Sequence, residues 1–367
     1  MRHPPPLRDS PRRRLVDSCV RSRNHGSTFS RVPYRKRLQL WQYHPWQATT
    51  VKCSAKLSRG RFRTLTETDA KGIRLGYFSL SIVSRVAAAQ GTYTAYGVDV
   101  VEQPVASSVD QFRRLVWGEL DVLLTSPDNV LTYRVNHSNP IGSLVDVRVL
   151  RAVDGGMGLS LMARAGTSGI AALRGARIGV DSAASGFAYA LYAVLEAAGL
   201  RVGDYELVEL GSTPRRAVEL AAGGCDATLL GSGHDVLAER RGAVRLVRVS
   251  AALGPYPGAV LAAKADVIHD RGPAIVRFLS AWDQAVADTL DPRRGSMVTS
   301  VLGAGLDVPK GVADEVYRSV VDPRDGLVPD GRLDPEGWAL VVDLRRRAGG
   351  FDVGTDPGRL RREPPLA

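Results

Sequence analysis

LRGARIGVDSAASGFAYALYAVLEAAGL, residues 173–200, packs a strand, a polar turn and a helix into one short unit. Residues 177–181 are a short apolar run suited to a buried strand. Ser182, Ala183, Ala184, Ser185 and Gly186 form a small polar turn, and Phe187, Leu191, Val194, Leu195 and Ala198 then recur at helical spacing until Gly199 ends the helix. Ser185 is placed to cap that helix. A helix start leaves backbone N–H groups unpaired and carries partial positive charge, so a turn without bulky side chains there can seat an anionic or strongly polar ligand group. The same residues also read as an ordinary capped helix of an α/β protein.

Outward from this stretch the alternation continues in both directions. Upstream, strands are predicted over 73–77, 98–102 and 121–125, with helices over 82–96 and 109–117 and another beginning at Pro127, where Ser126 is the cap. Strands over 145–152 and 159–163 flank a glycine cluster at 154–158 that lacks the GK[ST] ending of a phosphate loop and reads as a turn. Downstream come strands over 207–210, 226–230, 245–249 and 259–263, a helix over 215–222, a rigid Gly254-Pro255-Tyr256-Pro257-Gly258 crossing, and a long helix ending at Leu290. Strands alternating with helices of this length predict right-handed crossovers and a parallel sheet. Residues 118–124 (GELDVLL) are echoed by 223–229 (GGCDATL), and Ser126 by Ser232, which suggests two similar halves facing each other. Ligands of open α/β sheets bind beyond the carboxyl ends of strands, where these serines lie.

The net charge of +11 belongs to one end of the chain. Residues 1–65 hold 16 lysines and arginines against Asp9 and Asp17, and the remainder holds 33 basic against 36 acidic side chains. The body therefore has no nucleic-acid-binding charge. The head, with Arg12-Arg13-Arg14 and Pro4-Pro5-Pro6, has neither helical nor strand periodicity and reads as a disordered extension, as does the tail over 351–367. It shows neither the apolar core of a secretory signal nor a lipobox before Cys19. Cys19, Cys53 and Cys225 are scattered without CxxC spacing, which argues against a disulfide framework or a zinc site.

Together the motifs resemble a family. GYFS at 76–79, GELDVLLTSPDNVL at 118–131, the 173–200 stretch, AAGGCDATLLGS at 221–232 and YPGAVLAAKADVI at 256–268 are similar to the type 2 periplasmic binding proteins of the nitrate, sulfonate, taurine and thiamine-pyrimidine group, the solute receptors of ABC importers. The resemblance spans 71–350. It implies two Rossmann-like α/β lobes around a central cleft: lobe 1 from 71–164 and 251–350, lobe 2 from 165–250, with hinges over 162–167 and 250–258. It also implies a small anionic or polar ligand (sulfonate, nitrate-like or pyrimidine-like), ABC permease partners, an extracytoplasmic site of action and a monomer. The pocket positions it implies are Phe78, Ser79, Ser126, Ser182, Ser185, Gly186, Ser232 and Tyr256. A cytoplasmic sensor would suit the unread signal.

Some relatives of this fold are enzymes, among them pyrimidine synthases, a desulfinase and decarboxylases, so catalysis is the rival class. A nucleophile needs a base and an orienting partner. Cys225 precedes a strand as a small core residue would, and His234 stands alone after Ser232. No HExxH spacing occurs, and the body has only Lys71, Lys264 and Lys310 for a Schiff base. No catalytic residue, metal or cofactor is expected. Because the head cannot bury enough apolar surface to offset its ordering entropy, a chain beginning at Ala70 should melt at the same temperature as the full chain in a calorimeter. A large drop would show that the head belongs to the fold.

Overall fold

A computed structural model of the chain describes residues 72–79, 81–351 and 354–356. The readings of the head as disordered and of the tail beyond 356 lie outside the described residues. The chain runs β1 (Gly72–Tyr77), α1 (Ile82–Ala89), α2 (Thr92–Ala95), β2 (Asp99–Pro104), α3 (Ser108–Val116), β3 (Val122–Thr125), α4 (Pro127–Val135) and β4 (Val147–Asp154). It continues with β5 (Ser160–Ala163), β6 (Arg177–Val180), α5 (Gly186–Ala197), β7 (Glu206–Glu209), α6 (Thr213–Ala222), β8 (Ala227–Leu230), α7 (His234–Arg240) and β9 (Val244–Arg248). It returns through α8 (Val249–Leu253), β10 (Ala259–Lys264), α9 (Ala265–Asp270), α10 (Gly272–Leu290), α11 (Gly295–Leu306), α12 (Lys310–Val320) and α13 (Pro335–Arg347).

The strands form two five-stranded sheets, ordered β2-β1-β3-β10-β4 and β7-β6-β8-β5-β9. Neither is wholly parallel, which corrects the sequence expectation: β10 runs antiparallel to β3 and β4, and β5 antiparallel to β8 and β9. The reason is geometric. A strand that arrives from the other lobe starts at the shared edge, where the strands of the βαβ units end. The expected lobe boundary also moves. Because β5 pairs with β8 and β9, the first crossing lies between Asp154 and Ser160 rather than over 162–167.

The echo in sequence maps onto equivalent places in the two sheets, with β3 and β8 each third in order. Asp121 and Asp226, each just before that strand, clamp an arginine of the neighbouring strand. Arg74 donates its backbone N–H at 2.8 Å, and its Nε and Nη2 at 2.8 Å, to Asp121. Arg177 does the same to Asp226 at 2.9, 3.3 and 3.0 Å. These bonds hold the Asp226 carboxyl down at about 2. Gly76 and Gly179 lack the Cβ that would collide with Leu120 and crowd Cys225, the residues just before those aspartates. Buried Gln111 on α3 donates to the carbonyls of Gly76 and Leu124 at 3.1 Å. Buried Arg216 on α6 fills the same place, reaching Leu229 O at 3.2 Å and Thr228 Oγ1 at 3.2 Å.

One apolar core runs through both lobes. Leu123, Val149 and Val260 meet Leu161, Ile178 and Leu191 through Tyr256 on the returning crossing and Trp338 of α13. A second core, with Val83, Phe278 and Trp282, fills lobe 1 beneath α1 and α10.

Both crossings are fastened by a third segment, residues 322–331. Gly155 N–H donates to Gly326 O at 2.9 Å, Val328 N–H to Val153 O at 3.0 Å and Ala152 N–H to Gly331 O at 2.7 Å. From the returning crossing, Ser250 Oγ donates to Asp325 Oδ2 at 2.8 Å, and Arg324 Nη2 reaches Ser250 O at 3.0 Å. Asp154 is buried beside this junction. Burial, reinforced by the Asp325 charge and opposed by the Gly156 N–H, pushes its carboxyl up to about 7. An acid whose folded pKa stands above its unfolded value binds more protons when folded. Its ionisation therefore removes stability as pH rises from about 4 towards the folded value. Asp154→Asn keeps an oxygen for the Gly156 N–H and removes the charge. It should stabilise the protein by up to about 4 kcal/mol near pH 8 and by little near pH 4. Urea unfolding at both pH values measures the difference, and an equal effect at both would refute the assignment.

Candidate functional site

The carboxyl ends of the strands in the two sheets face each other. Phe78 and Ser79 follow β1, Ser126 follows β3, Ser182 follows β6 and Ser232 lies one residue beyond Gly231 after β8. Phe78 and Ser79 are half-buried, and Phe78 packs on the shared core. Ser126 caps α4 by accepting the Asn129 N–H at 3.2 Å, with Pro127 at the first helical position. Ser185 caps α5 by accepting the Ala188 N–H at 3.1 Å and donates its hydroxyl to Asp181 Oδ1 at 2.5 Å. Ser182 is half-buried. Ser232 is exposed and holds left-handed backbone, φ 54°, with its N–H bonded to Met157 O at 3.0 Å. That conformation is uncommon outside glycine.

The lobes meet at the start of α5. Gly186 lies so close to the Asp128 side chain that a methyl group there would overlap it. Tyr256, buried, donates its hydroxyl to Gly186 O at 3.2 Å. Asp128 is held in turn by Arg345 from α13: Nε and Nη2 each donate to a carboxylate oxygen at 2.6 Å, and both side chains are 2% exposed. Arg345 Nη2 also reaches Ala184 O at 3.3 Å, and its guanidinium stacks 4.7 Å from the Tyr189 ring centroid. Burial pulls the Arg345 pKa down, and the Asp128 charge outweighs it, so the group stays above its ordinary value. One ion pair thus touches α4, α5 and α13.

The structure therefore brings together Gly186, Tyr256 and, through Asp128, the helix that Ser126 caps. Ser232 stands exposed beside the first crossing, where its N–H bonds Met157 O. Asp128, Asp181, Glu209 and Arg345 were not singled out from sequence. Asp128 stands inside the quoted TSPDN motif, but its partner is 217 residues away and no local pattern marks it. Three carboxylates surround the turn at 182–186, since Glu209 Oε1 accepts the Ala183 N–H at 2.7 Å, Asp181 takes the Ser185 hydroxyl and Asp128 abuts Gly186. Beside Tyr256, residues Gly155, Leu159, Val249 and Asp325 close on one another and leave no room for a water molecule.

Burial pushes the Cys225 thiol up to about 11, and the side chain packs on Gly179. Burial and nearby Arg216 hold the His234 ring near 4 and therefore neutral. Among the described residues no group of three or more His, Cys, Asp or Glu side chains is placed to hold a metal ion.

Two mixed sheets of this strand order, joined by two crossings and facing each other across their strand ends, define a periplasmic binding protein fold. The NMT1/THI5-like family matches residues 81–294, more than half the chain, and the chain belongs to that family. No curated protein matches it in sequence. Several solved structures share the fold. The alkanesulfonate-binding protein SsuA from Xanthomonas axonopodis pv. citri, bound to MOPS, superposes with a TM-score of 0.62 at 17% identity, over 77% of this chain and 94% of that one. The periplasmic nitrate-binding protein NrtA from Synechocystis PCC 6803 gives 0.64 at 13% identity, over 80% and 85%. The Candida albicans CA3427 gene product, with the generic periplasmic binding protein fold, gives 0.60 at 16%, over 81% and 96%.

Removing one partner of a buried pair leaves an uncompensated charge, which costs about 3–5 kcal/mol. Arg345→Met should lose about that much in urea unfolding, and adding Asp128→Asn should recover a large part of it. If the double variant is as unstable as the single one, the charge pair is not what joins the three helices.

Proposed function

We propose that the chain is the substrate-binding component of an ABC-type importer, closing its two lobes on a small polar organic ligand. In that role it works outside the cytoplasm and hands its ligand to permease subunits. The fold relationship to SsuA and NrtA and membership of the NMT1/THI5-like family support the reading. The pocket positions proposed are Phe78, Ser79, Ser126, Ser182, Ser185, Gly186, Ser232 and Tyr256.

Within the ligand classes open to such a protein, we favour a pyrimidine-like molecule that donates hydrogen bonds over a sulfonate or nitrate. The observation that carries this is the ring of carboxylates at the α5 start. A helix terminus attracts an anion by about 0.3–1 kcal/mol; Asp128 crowds that place with its charge balanced by Arg345, and Glu209 beside it has no ion-pair partner among the described residues. A further anion about 4 Å from an ionised carboxylate is repelled by roughly 4 kcal/mol at an effective dielectric near 20. Repulsion wins, and a ligand bearing amino groups finds acceptors instead. Arg216, whose hydrogen bonds all go to neutral oxygens, keeps its charge and offsets that of Asp181, so Glu209 is the carboxylate of the three that carries the repulsion.

Calorimetry of the full chain with 4-amino-5-hydroxymethyl-2-methylpyrimidine, taurine and nitrate tests the reading. The pyrimidine should bind, and Ser182→Ala and Glu209→Gln should each weaken it about tenfold, one hydrogen bond's worth. Ser185→Ala should chiefly lower stability, since its hydroxyl is committed to the cap. Tight binding of taurine or nitrate with no binding of the pyrimidine would overturn the choice of ligand class.

A further inference from the structure

Three passes of the chain meet at Asp154, the last residue of β4. Its side chain serves the first crossing, where Oδ1 accepts the Gly156 N–H at 2.8 Å. Its carbonyl takes the Gly258 N–H of the returning crossing at 3.2 Å, and a Cβ at Gly258 would overlap Oδ1. Its backbone also bridges Leu327, antiparallel, in the segment 322–331 that straps both crossings. The two crossings are where the chain passes between the sheets, so any parting of the lobes turns about the place where this carboxyl stands.

The groups around Asp154 give it no counter-charge. It is 5% exposed and forms no ion pair among the described residues. The strap brings Asp322, Arg324 and Asp325, the end of β9 brings Arg248, and the returning crossing brings Tyr256. Both arginines are engaged elsewhere: Arg248 Nη1 lies 3.3 Å from Asp325 and 3.7 Å from Asp322, and Arg324 Nη2 donates to Ser250 O at 3.0 Å. Tyr256 donates to Gly186 O, and Arg151 of β4 itself is paired with Asp283. Ala259, the neighbour on β10, and residues 155–159 of the first crossing carry no charge. Asp325 is 3% exposed, with Oδ2 accepting the Ser250 hydroxyl at 2.8 Å and Oδ1 without a hydrogen-bond partner. Two carboxyls buried at one junction resist being ionised together.

We propose that a proton on Asp154 fastens the junction of the lobes, and that its loss frees the two crossings from the strap so that the lobes part without either one unfolding. Protonated, Asp154 is a neutral group that burial tolerates. Ionised, it is a charge near Asp325 at a junction with no room for water, and it regains solvent only when strap and crossings separate. Its pKa is thus higher in the fastened junction, about 7, than in the opened one, roughly 4. Opening releases a proton, so the opening constant rises with pH between those two values, by up to about tenfold per unit, and is level outside them. The cleft lies between the same lobes, so the proton also governs ligand release, a consequence that rests on the binding role proposed above.

Hydrogen exchange of the full chain, followed by mass spectrometry with no ligand added, tests the junction independently of that role. Exchange rates divided by the intrinsic chemical rate give an opening constant for each peptide. Peptides carrying the Ala152, Gly155 and Val328 N–H groups, which join β4 and the first crossing to the strap, should open about tenfold more per pH unit between roughly pH 5 and 6.5 and level off above about 7. Peptides from β6 and β7 of the inserted lobe should show no such rise. In Asp154→Asn the junction peptides should be insensitive to pH. In Asp325→Asn, which keeps an oxygen for the Ser250 hydroxyl, the rise should end at a lower pH. The proposal is overturned if the wild-type junction shows no rise, if the rise is equally steep in β6 and β7, as a general loss of stability would make it, or if neither substitution changes it.

Discussion

A strand that enters a sheet from a neighbouring lobe has to begin at the edge the two lobes share. β5 and β10 both obey this constraint, and much of the architecture follows from it. Each becomes the antiparallel member of an otherwise parallel set, sits fourth in its sheet and faces the strand ends that make the cleft. The returning crossing carries Tyr256 to the middle of the shared core, where its hydroxyl reaches the first residue of α5. The serine caps, the carboxylates and the two crossings are grouped at one level because the chain passes between the sheets there.

The two lobes are variations on one plan, and the variations are chemically informative. Each has an aspartate before the third strand of its sheet clamping an arginine on the second, and each has a buried helix side chain bonded to a carbonyl of that third strand, Gln111 to Leu124 and Arg216 to Leu229. In lobe 1 that side chain is a neutral glutamine, and in lobe 2 an arginine whose pKa burial lowers. Arg216 is thus a scaffold residue at a position where charge is tolerated because four oxygen acceptors surround it. Cys225 has the same standing: it occupies the place of Leu120, against a glycine that leaves room for it.

Much of this was legible in sequence because it is local. Ser126-Pro127 and Ser185-Gly186 begin helices as their spacing predicts, and the repeat of GELD in GGCD marks equivalent strands. What sequence could not give depends on distant partners. The antiparallel strands follow from the path between lobes, which no periodicity records. Arg345 reads as one of three arginines in the last turn of a helix, and only the fold brings it to Asp128. The turn at 182–186 was correctly placed and capped, but the carboxylates around it come from β6, β7 and α4, so its electrostatic character was out of reach of the turn's own sequence.

The strap over 322–331 has a consequence for how the chain is built during synthesis. The second sheet is one uninterrupted length of chain, 160–248, whose strands need no later residue. The first sheet must wait for β10, and its junction with the second is closed only when the strap pairs with β4 and Ser250. Contacts between distant segments form late because their loop-closure entropy has to be met first, and domains emerge from the ribosome amino end first. The inserted lobe is therefore complete while its host is still open, and the host's unpaired β3 edge stays exposed until some 130 residues later in the chain, when β10 arrives. That edge is where a chaperone would have most to do.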